Sequence, residues 1–210
     1  GTYGGQLQVG QNAAVGATVT VSEKRGLTQA EVLNSDIVRS TQETSSVLTA
    51  KTGVDKDAIN SEIVNDVSVA ASLRDKRQNS TVSGLMVDAS STETFKTLYI
   101  TGGGAKDATV TATGNVNYLG GKTETKVKSS KLSAGSGALE VSASDAANVD
   151  TVIATATGAL GAAIGVLTNV ITTDHSTGIT VTGTQTNRSS LTGGSVSVDA
   201  DAKEGISSLL

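Results

Sequence analysis

His175 is the only histidine of the 210-residue chain, and it lies in the polar run Thr172-Thr173-Asp174-His175-Ser176-Thr177-Gly178. Asp174 before it and Ser176 after it complete the residue types of an acyl-transfer triad. In such a triad serine attacks, histidine takes its proton and a carboxylate orients the ring. Sequence neighbours cannot adopt that geometry, because adjacent side chains diverge along any extended strand. The run reads instead as a turn between two strands, with His175 exposed to solvent. On that reading His175→Ala changes neither folding nor binding, and the chain carries no catalytic residue.

The other candidate chemistries are equally thin. Calcium-binding β-rolls need tandem Gly-Gly-X-Gly-X-Asp units. Gly102-Gly103-Gly104-Ala105-Lys106-Asp107 and Gly193-Gly194-Ser195-Val196-Ser197-Val198-Asp199 approximate that pattern with the wrong spacing. Asp199 and Asp201 fall on one side of a strand, where they could hold a weak cation or simply keep a sheet edge soluble. Gly102-Gly103-Gly104 is no phosphate loop, since no Lys-Ser/Thr and helix follow it. A polysaccharide-cleaving groove would need clustered acids. The carboxylates of Asp88, Glu93, Asp107, Glu124, Glu140, Asp145, Asp150 and Asp174 are scattered. No metal ligand set and no cofactor motif is expected. Asn79-Ser80-Thr81 and Asn187-Arg188-Ser189 fit the N-glycosylation pattern, a signal of low specificity.

Composition narrows the class. There is no Cys, Pro or Trp, and only one Phe and three Tyr, so a core of large side chains cannot be built. The apolar residues are Val, Ala, Leu and Ile, set among 24 Gly and many Thr and Ser. Such residues suit thin, regular layers of strand. A net charge of −4 with no basic stripe argues against nucleic acid as a partner. No apolar run reaches the length of a membrane span.

The elements that would position these residues repeat. Residues 85–117 return at 139–171 with a gapless offset of 54, and 11 of the 33 aligned positions are identical, so the second unit is a copy of the first. Leu85, Val87, Ala89 and Ser90 match Leu139, Val141, Ala143 and Ser144; Asn115 and Val116 match Asn169 and Val170. The opening returns once more at Val196-Ser197-Val198, 57 residues on. His175 aligns with Gly121, which sets it outside the repeat design. Period-two alternation marks strands throughout, each broken after three to five residues by Gly, Asn, Asp or Ser. Short strands at this spacing imply an all-β chain folded as a parallel β-helix, a solenoid in which each unit buries its apolar face on its neighbour. With coils of about 20–30 residues, the 54-residue period would be two coils. The recurring Asn115 and Asn169 suit left-handed turns or a ladder of stacked amides.

Residues 1–38 and 80–210 read as solenoid coils, with 54–57-residue repeats in the latter. Residues 39–79 interrupt them. Val32, the best match to a closing strand in the first unit, stands 53 residues before Leu85, where 12 or 15 separate later units. Ile59, Ile63, Val67 and Ala71 recur every four residues after Asp55, which suggests a helix over 56–76 closed by Arg74-Asp75-Lys76-Arg77. The rival reading is an extra coil with a strand over Val67–Ala71. Either way the insertion is expected to leave the repeat axis and form the most distinctive surface. The chain, opening on Gly1 and stopping soon after a repeat begins, reads as a segment of something longer.

The stretch Gly158-Ala159-Leu160-Gly161-Ala162-Ala163-Ile164-Gly165-Val166-Leu167-Thr168-Asn169 is followed by polar Thr172–His175 and then by Gly178-Ile179-Thr180-Val181. It resembles a repeat of the filamentous-haemagglutinin-like and leukotoxin-like adhesins exported by two-partner secretion. In those repeats a small-residue strand ends near an Asn, and a Thr-rich turn leads to a short strand. Asn115 and Asn169 match that Asn, and Gly16–Val21 looks like a diverged copy without it. The resemblance implies a right-handed β-helix, export to the bacterial cell surface, and adhesion or scaffolding. The expected function is a structural or adhesive segment of a secreted surface fibre, with a host-surface receptor or neighbouring protomers as partners. A self-assembling extracellular filament subunit is the alternative. A carbohydrate-active enzyme or phage-type spike on the same fold is less favoured, for want of sugar-stacking aromatics.

Overall fold

The computed structural model describes residues 2–39, 48–52, 78–82 and 84–210, with the backbone alone for Thr2, Tyr3, 48–52 and 78–82. The described chain is all strand and turn. β1 (Thr2–Val9), β2 (Ala13–Leu33) and β3 (Asp36–Val38) form a first layer. β4 (Leu48–Thr52) and β5 (Gln78–Val82) pair antiparallel and join none of the other sheets. The second layer is β6 (Leu85–Ala105), β7 (Ala108–Lys128) and β8 (Lys131–Ser133). The third is β9 (Ala138–Ala159), β10 (Ala162–Thr182) and β11 (Ser190–Thr192), and β12 (Ser195–Leu209) opens a fourth. Layers stack through three parallel sheets of order β1-β6-β9-β12, β10-β7-β2 and β11-β8-β3. The first two sheets face one another. The helix expected over 56–76, and the strand offered as its rival, lie outside the described residues.

The repeat is the register. Leu85 stands opposite Leu139, Val110 opposite Ile164 and Asn115 opposite Asn169, without a slip along either of the two long strands, or arms, of a layer. Val196 stands opposite Leu139, so the 57-residue offset is also one step. Its three extra residues arise in the turns. Residues 183–189 replace the two-residue link at 129–130, and 193–194 replace the four residues 134–137. In the first layer Val32 stands opposite Val127, and Thr20 occupies the asparagine position.

Two expectations are corrected. The 54-residue unit is one layer rather than two coils, because β6 pairs directly with β9 and β7 with β10. The strands are 21 or 22 residues long instead of short. Gly102–Gly104, Gly114, Asn115, Gly120 and Gly121 all lie inside them. Hydrogen bonds to a layer above and a layer below hold those residues extended despite their weak strand preference. The left-handed positions are elsewhere. Asn34 (φ 47°) and Ser129 (φ 50°) share one place, at the exit from the second arm. Asn115 and Asn169 are ordinary mid-strand residues.

Long strands have a consequence for burial. Side chains alternate between faces, and a strand without a bulge keeps one parity along its whole length. At one end of the arms this parity turns apolar residues inward: Val127, Leu132, Leu139 and Val141 are buried together, with Val32, Val87, Ile179 and Leu191 packed around them. Phe95, Leu119 and Val149 make a smaller cluster mid-arm. Toward the turn at Lys106–Asp107 the sequence switches phase while the backbone does not. Val15, Val19, Val21, Ile100, Ile164 and Val166 therefore point outward and are exposed, and threonines fill the interior. The expectation that each unit buries its apolar face holds for half of each arm only.

This assignment of faces is testable by urea denaturation. Leu139→Ala, at 1% exposure, should cost about 2–5 kcal/mol of stability. Val19→Ala, at 71% exposure, should change it by less than about 0.5 kcal/mol. Equal costs would place the apolar faces the other way round.

Candidate functional site

The interior between the two large sheets is where polar groups are brought together. Near the turn, Thr101 and Thr113 hydroxyls meet across the gap at 2.6 Å, and Thr101 also bonds Thr155 one layer on. Thr109 Oγ1 donates to the carbonyl of Gly158 at 3.1 Å, and Asn117 Nδ2 donates to Thr151 Oγ1 at 3.3 Å. The sheets can approach this closely because Gly103 has no side chain. A Cβ there would stand 2.6 Å from Thr111 Oγ1. Asn115, fully buried, donates from Nδ2 to Asn169 Oδ1 at 3.0 Å, and Asn169 donates to Ser208 Oγ at 2.8 Å. That is the amide ladder the repeat suggests. A buried hydroxyl with a partner contributes about 1 kcal/mol net, whereas one left without costs about 1–3 kcal/mol. These pairs therefore fix register more than they add stability.

His175 belongs to this interior, and its expected exposure is corrected. The residue lies within β10, and its side chain retains 2% of its accessible area. Nδ1 sits 2.8 Å from Asp145 Oδ2 on β9, across the gap between the sheets. Thr123 Oγ1 on β7 donates to the other carboxylate oxygen at 3.1 Å. The orienting carboxylate is thus Asp145, thirty residues away in sequence. Asp174 and Ser176, the neighbours, lie on the opposite face of the strand. Asp174 Oδ2 accepts from the Tyr118 hydroxyl at 2.9 Å, which raises the phenol pKa above its ordinary value. His175 Nε2 has no hydrogen-bond partner among the described residues, so no described hydroxyl stands where a triad would need its nucleophile.

The space for the imidazole comes from the layer below. His175 stands opposite Gly121, and a Cβ on that glycine would lie 2.8 Å from His175 Nδ1. The histidine-to-glycine change between units is therefore a matched pair, with the ring filling the room the glycine leaves. Sequence alone offers no signal for Asp145; the partnership appears once the two arms are known to face each other in register.

Lys24 pairs with Glu93 on the inner side at 3.2 Å, and several other charges sit on the outer faces. Glu124 lies between Lys122 and Lys126, and its hydrogen bond from Lys122 at 2.6 Å is the main reason its pKa is lowered. Burial, with Asp88 and Asp199 nearby, raises the pKa of Glu140. Asp201 bonds Lys203 at 3.0 Å. Among the described residues no group of three His, Asp or Glu side chains is placed to hold a metal ion. No described helix is long and apolar enough to cross a membrane. Comparison with family models, with curated proteins and with solved structures returns no match to this chain.

A double-mutant cycle tests the packing of His175 on Gly121. Gly121→Ala should cost about 1–3 kcal/mol in the native background, as an overpacked interior position does. It should cost much less beside His175→Ala, giving a coupling of about 1 kcal/mol or more in chemical denaturation. Additive costs would show that the ring does not fill the glycine's space.

Proposed function

We propose that this chain is a structural and adhesive segment of a secreted bacterial surface fibre, wound as a right-handed parallel β-helix, with no catalytic role. One observation carries this reading: the interior is committed to holding layers together, while apolar columns are turned outward. Thr101 with Thr113 and Asp145 with His175 join the two sheets, and Asn115 with Asn169 joins one layer to the next within a sheet. Val15, Val110 and Ile164 share one outward column, and Ala17, Ala112 and Val166 share the next. Contiguous exposed apolar surface on a sheet is a feature of contact sites. The likeness of 154–181 to two-partner-secretion adhesin repeats adds the extracellular placement.

A carbohydrate-active enzyme is the weaker reading. Sugar rings stack on exposed aromatics. Phe95 is buried, and Tyr118 is occupied by Arg25, whose guanidinium lies 5.0 Å from the ring centre.

The test immobilises the chain on beads and measures attachment to matrix-protein-coated and glycan-coated surfaces. The same preparation is incubated with a panel of polysaccharides. Attachment should fall by about tenfold in Val19→Lys/Val166→Lys, equivalent to about 1.4 kcal/mol, with the circular dichroism unchanged. No polysaccharide should be shortened. Cleavage of any of them, or attachment indifferent to both substitutions, would overturn the reading.

A further inference from the structure

Near the turn at Lys106–Asp107, the outward positions of both large sheets carry no charge. On the β10-β7-β2 sheet they run from Val15 to Val21, from Val110 to Val116 and from Ile164 to Val170, and Thr168 is the one polar side chain among them. On the facing sheet they include Leu7 and Val9, and run from Leu98 to Gly104 and from Val152 to Gly158. Val9 is 79% exposed on one sheet and Val15 77% on the other, so the apolar belt lies open on both faces. We propose that this end of the arms enters a lipid bilayer, its strands running across the hydrocarbon.

The belt has the height and the charge pattern of a membrane band. Thr97 and Asn117 meet across the gap at 3.4 Å, and the next outward residues beyond them are Lys96 and Tyr118. The belt therefore ends at one level on both sheets. Between that level and the turn lie nine residues of β6 (97–105) and ten of β7 (108–117). A strand needs about 9–11 residues to cross a bilayer. The charges stand at the two rims. Lys96 and Asp150 lie beyond the belt on one sheet, Arg25 and Asp174 on the other with Tyr118 beside the guanidinium, and Lys106 and Asp107 lie at the turn. Charged and aromatic rims on either side of an uncharged band complement the headgroups that flank hydrocarbon.

The interior and the backbone meet the other requirement for leaving water. Thr101 bonds Thr113 and Asn115 bonds Asn169 inside, which keeps these polar side chains away from the outer surface. From Thr97 to Gly104, β6 is paired by both β1 and β9; from Ala108 to Asn117, β7 is paired by both β2 and β10. Their backbone groups are thus satisfied within the stack, as hydrocarbon demands. Apolar-out and polar-in alternation is the pattern of strands that cross membranes, and a search for long apolar runs passes over it. A second copy of the chain is the rival occupant. Laid on one sheet, it would leave the belt of the other in water.

The proposal rests on the adhesive reading only in using the same outward columns, and phosphatidylcholine vesicles in place of coated beads keep the two tests apart. The folded chain should float with such vesicles. Ile100→Lys on one sheet and Ile164→Lys on the other should each lower the partition coefficient by about tenfold, with the circular dichroism unchanged. Leu27→Lys, at a 64% exposed position beyond the belt, should leave it unchanged. The chain has no Cys, so an environment-sensitive fluorophore can be placed on Ala112→Cys, inside the belt, or on Lys122→Cys, beyond it. With vesicles, emission from the first should rise and be quenched by nitroxide lipids, and emission from the second should do neither. A chain that ignores vesicles but still attaches to coated beads overturns the lipid proposal and leaves the adhesive reading standing. Loss of binding in only one of the two isoleucine variants marks a partner on a single sheet and overturns it too. So does an Ala112→Cys signal that grows with protein concentration in the absence of lipid, the mark of a second copy.

Discussion

Every residue of an arm must fit the residue one layer above and one layer below it. Parallel pairing without slippage makes that constraint nearly absolute, because moving one strand by a residue would turn its whole inner face outward. Columns, more than strands, are thus the units of packing. Leu85, Leu139 and Val196 share one column, and Thr20, Asn115 and Asn169 share another. Where a column changes character, the change is matched within it, as with His175 over Gly121. The sequence period is the length of one layer because column packing favours like residues at equal steps.

The same constraint explains an interior that is apolar at one end of the arms and polar at the other. Burying a Leu or Val side chain contributes about 1.5–3 kcal/mol, more than a buried hydroxyl pair contributes. Residue for residue, the Val127, Leu132, Leu139 and Val141 cluster therefore contributes more than the polar pairs, and it favours this parity. Threonine and asparagine then occupy inner positions near the turn, where Thr101 bonds Thr113 across the gap and Asn115 bonds Asn169 along its column. The valines and isoleucines of that half lie outside, where they bury one another only along their columns. Stability and surface chemistry follow from one choice of phase.

Much of the register was legible in the sequence. The gapless copy of 85–117 at 139–171 marked Leu85 and Leu139 as equivalent positions of consecutive units, and offered a ladder as one of two readings of Asn115 and Asn169. Direct opposition followed only once a unit was found to be one layer. Strand length was not legible. Glycines and asparagines that end strands in isolation are held extended when layers lie on both sides, so breaks in alternation at Gly102–Gly104 and Gly120–Gly121 marked no boundary. The layer length was misread for the same reason, short strands having implied short coils. The facing of Val110 and Ile164 was hidden because alternation gives two faces without saying which is inside. His175 was the sharpest departure: its polar neighbours suggested a turn, and its counterpart Gly121 suggested an accident. Only the opposing arm reveals Asp145 as its partner and the glycine as its space.

The length of a layer is the point on which all of this turns. Spin labels on a Val110→Cys/Ile164→Cys chain measure it directly, since both side chains face outward and the chain has no other thiol. If one 54-residue unit is one layer, the labelled strands are neighbours about 4.8 Å apart, and the spectrum is strongly broadened by spin exchange at low concentration. If the unit were two coils, the strands would be about 10 Å apart with another between them, and exchange broadening would be lost. The first result is the one expected; the second would contradict the layered account at its base.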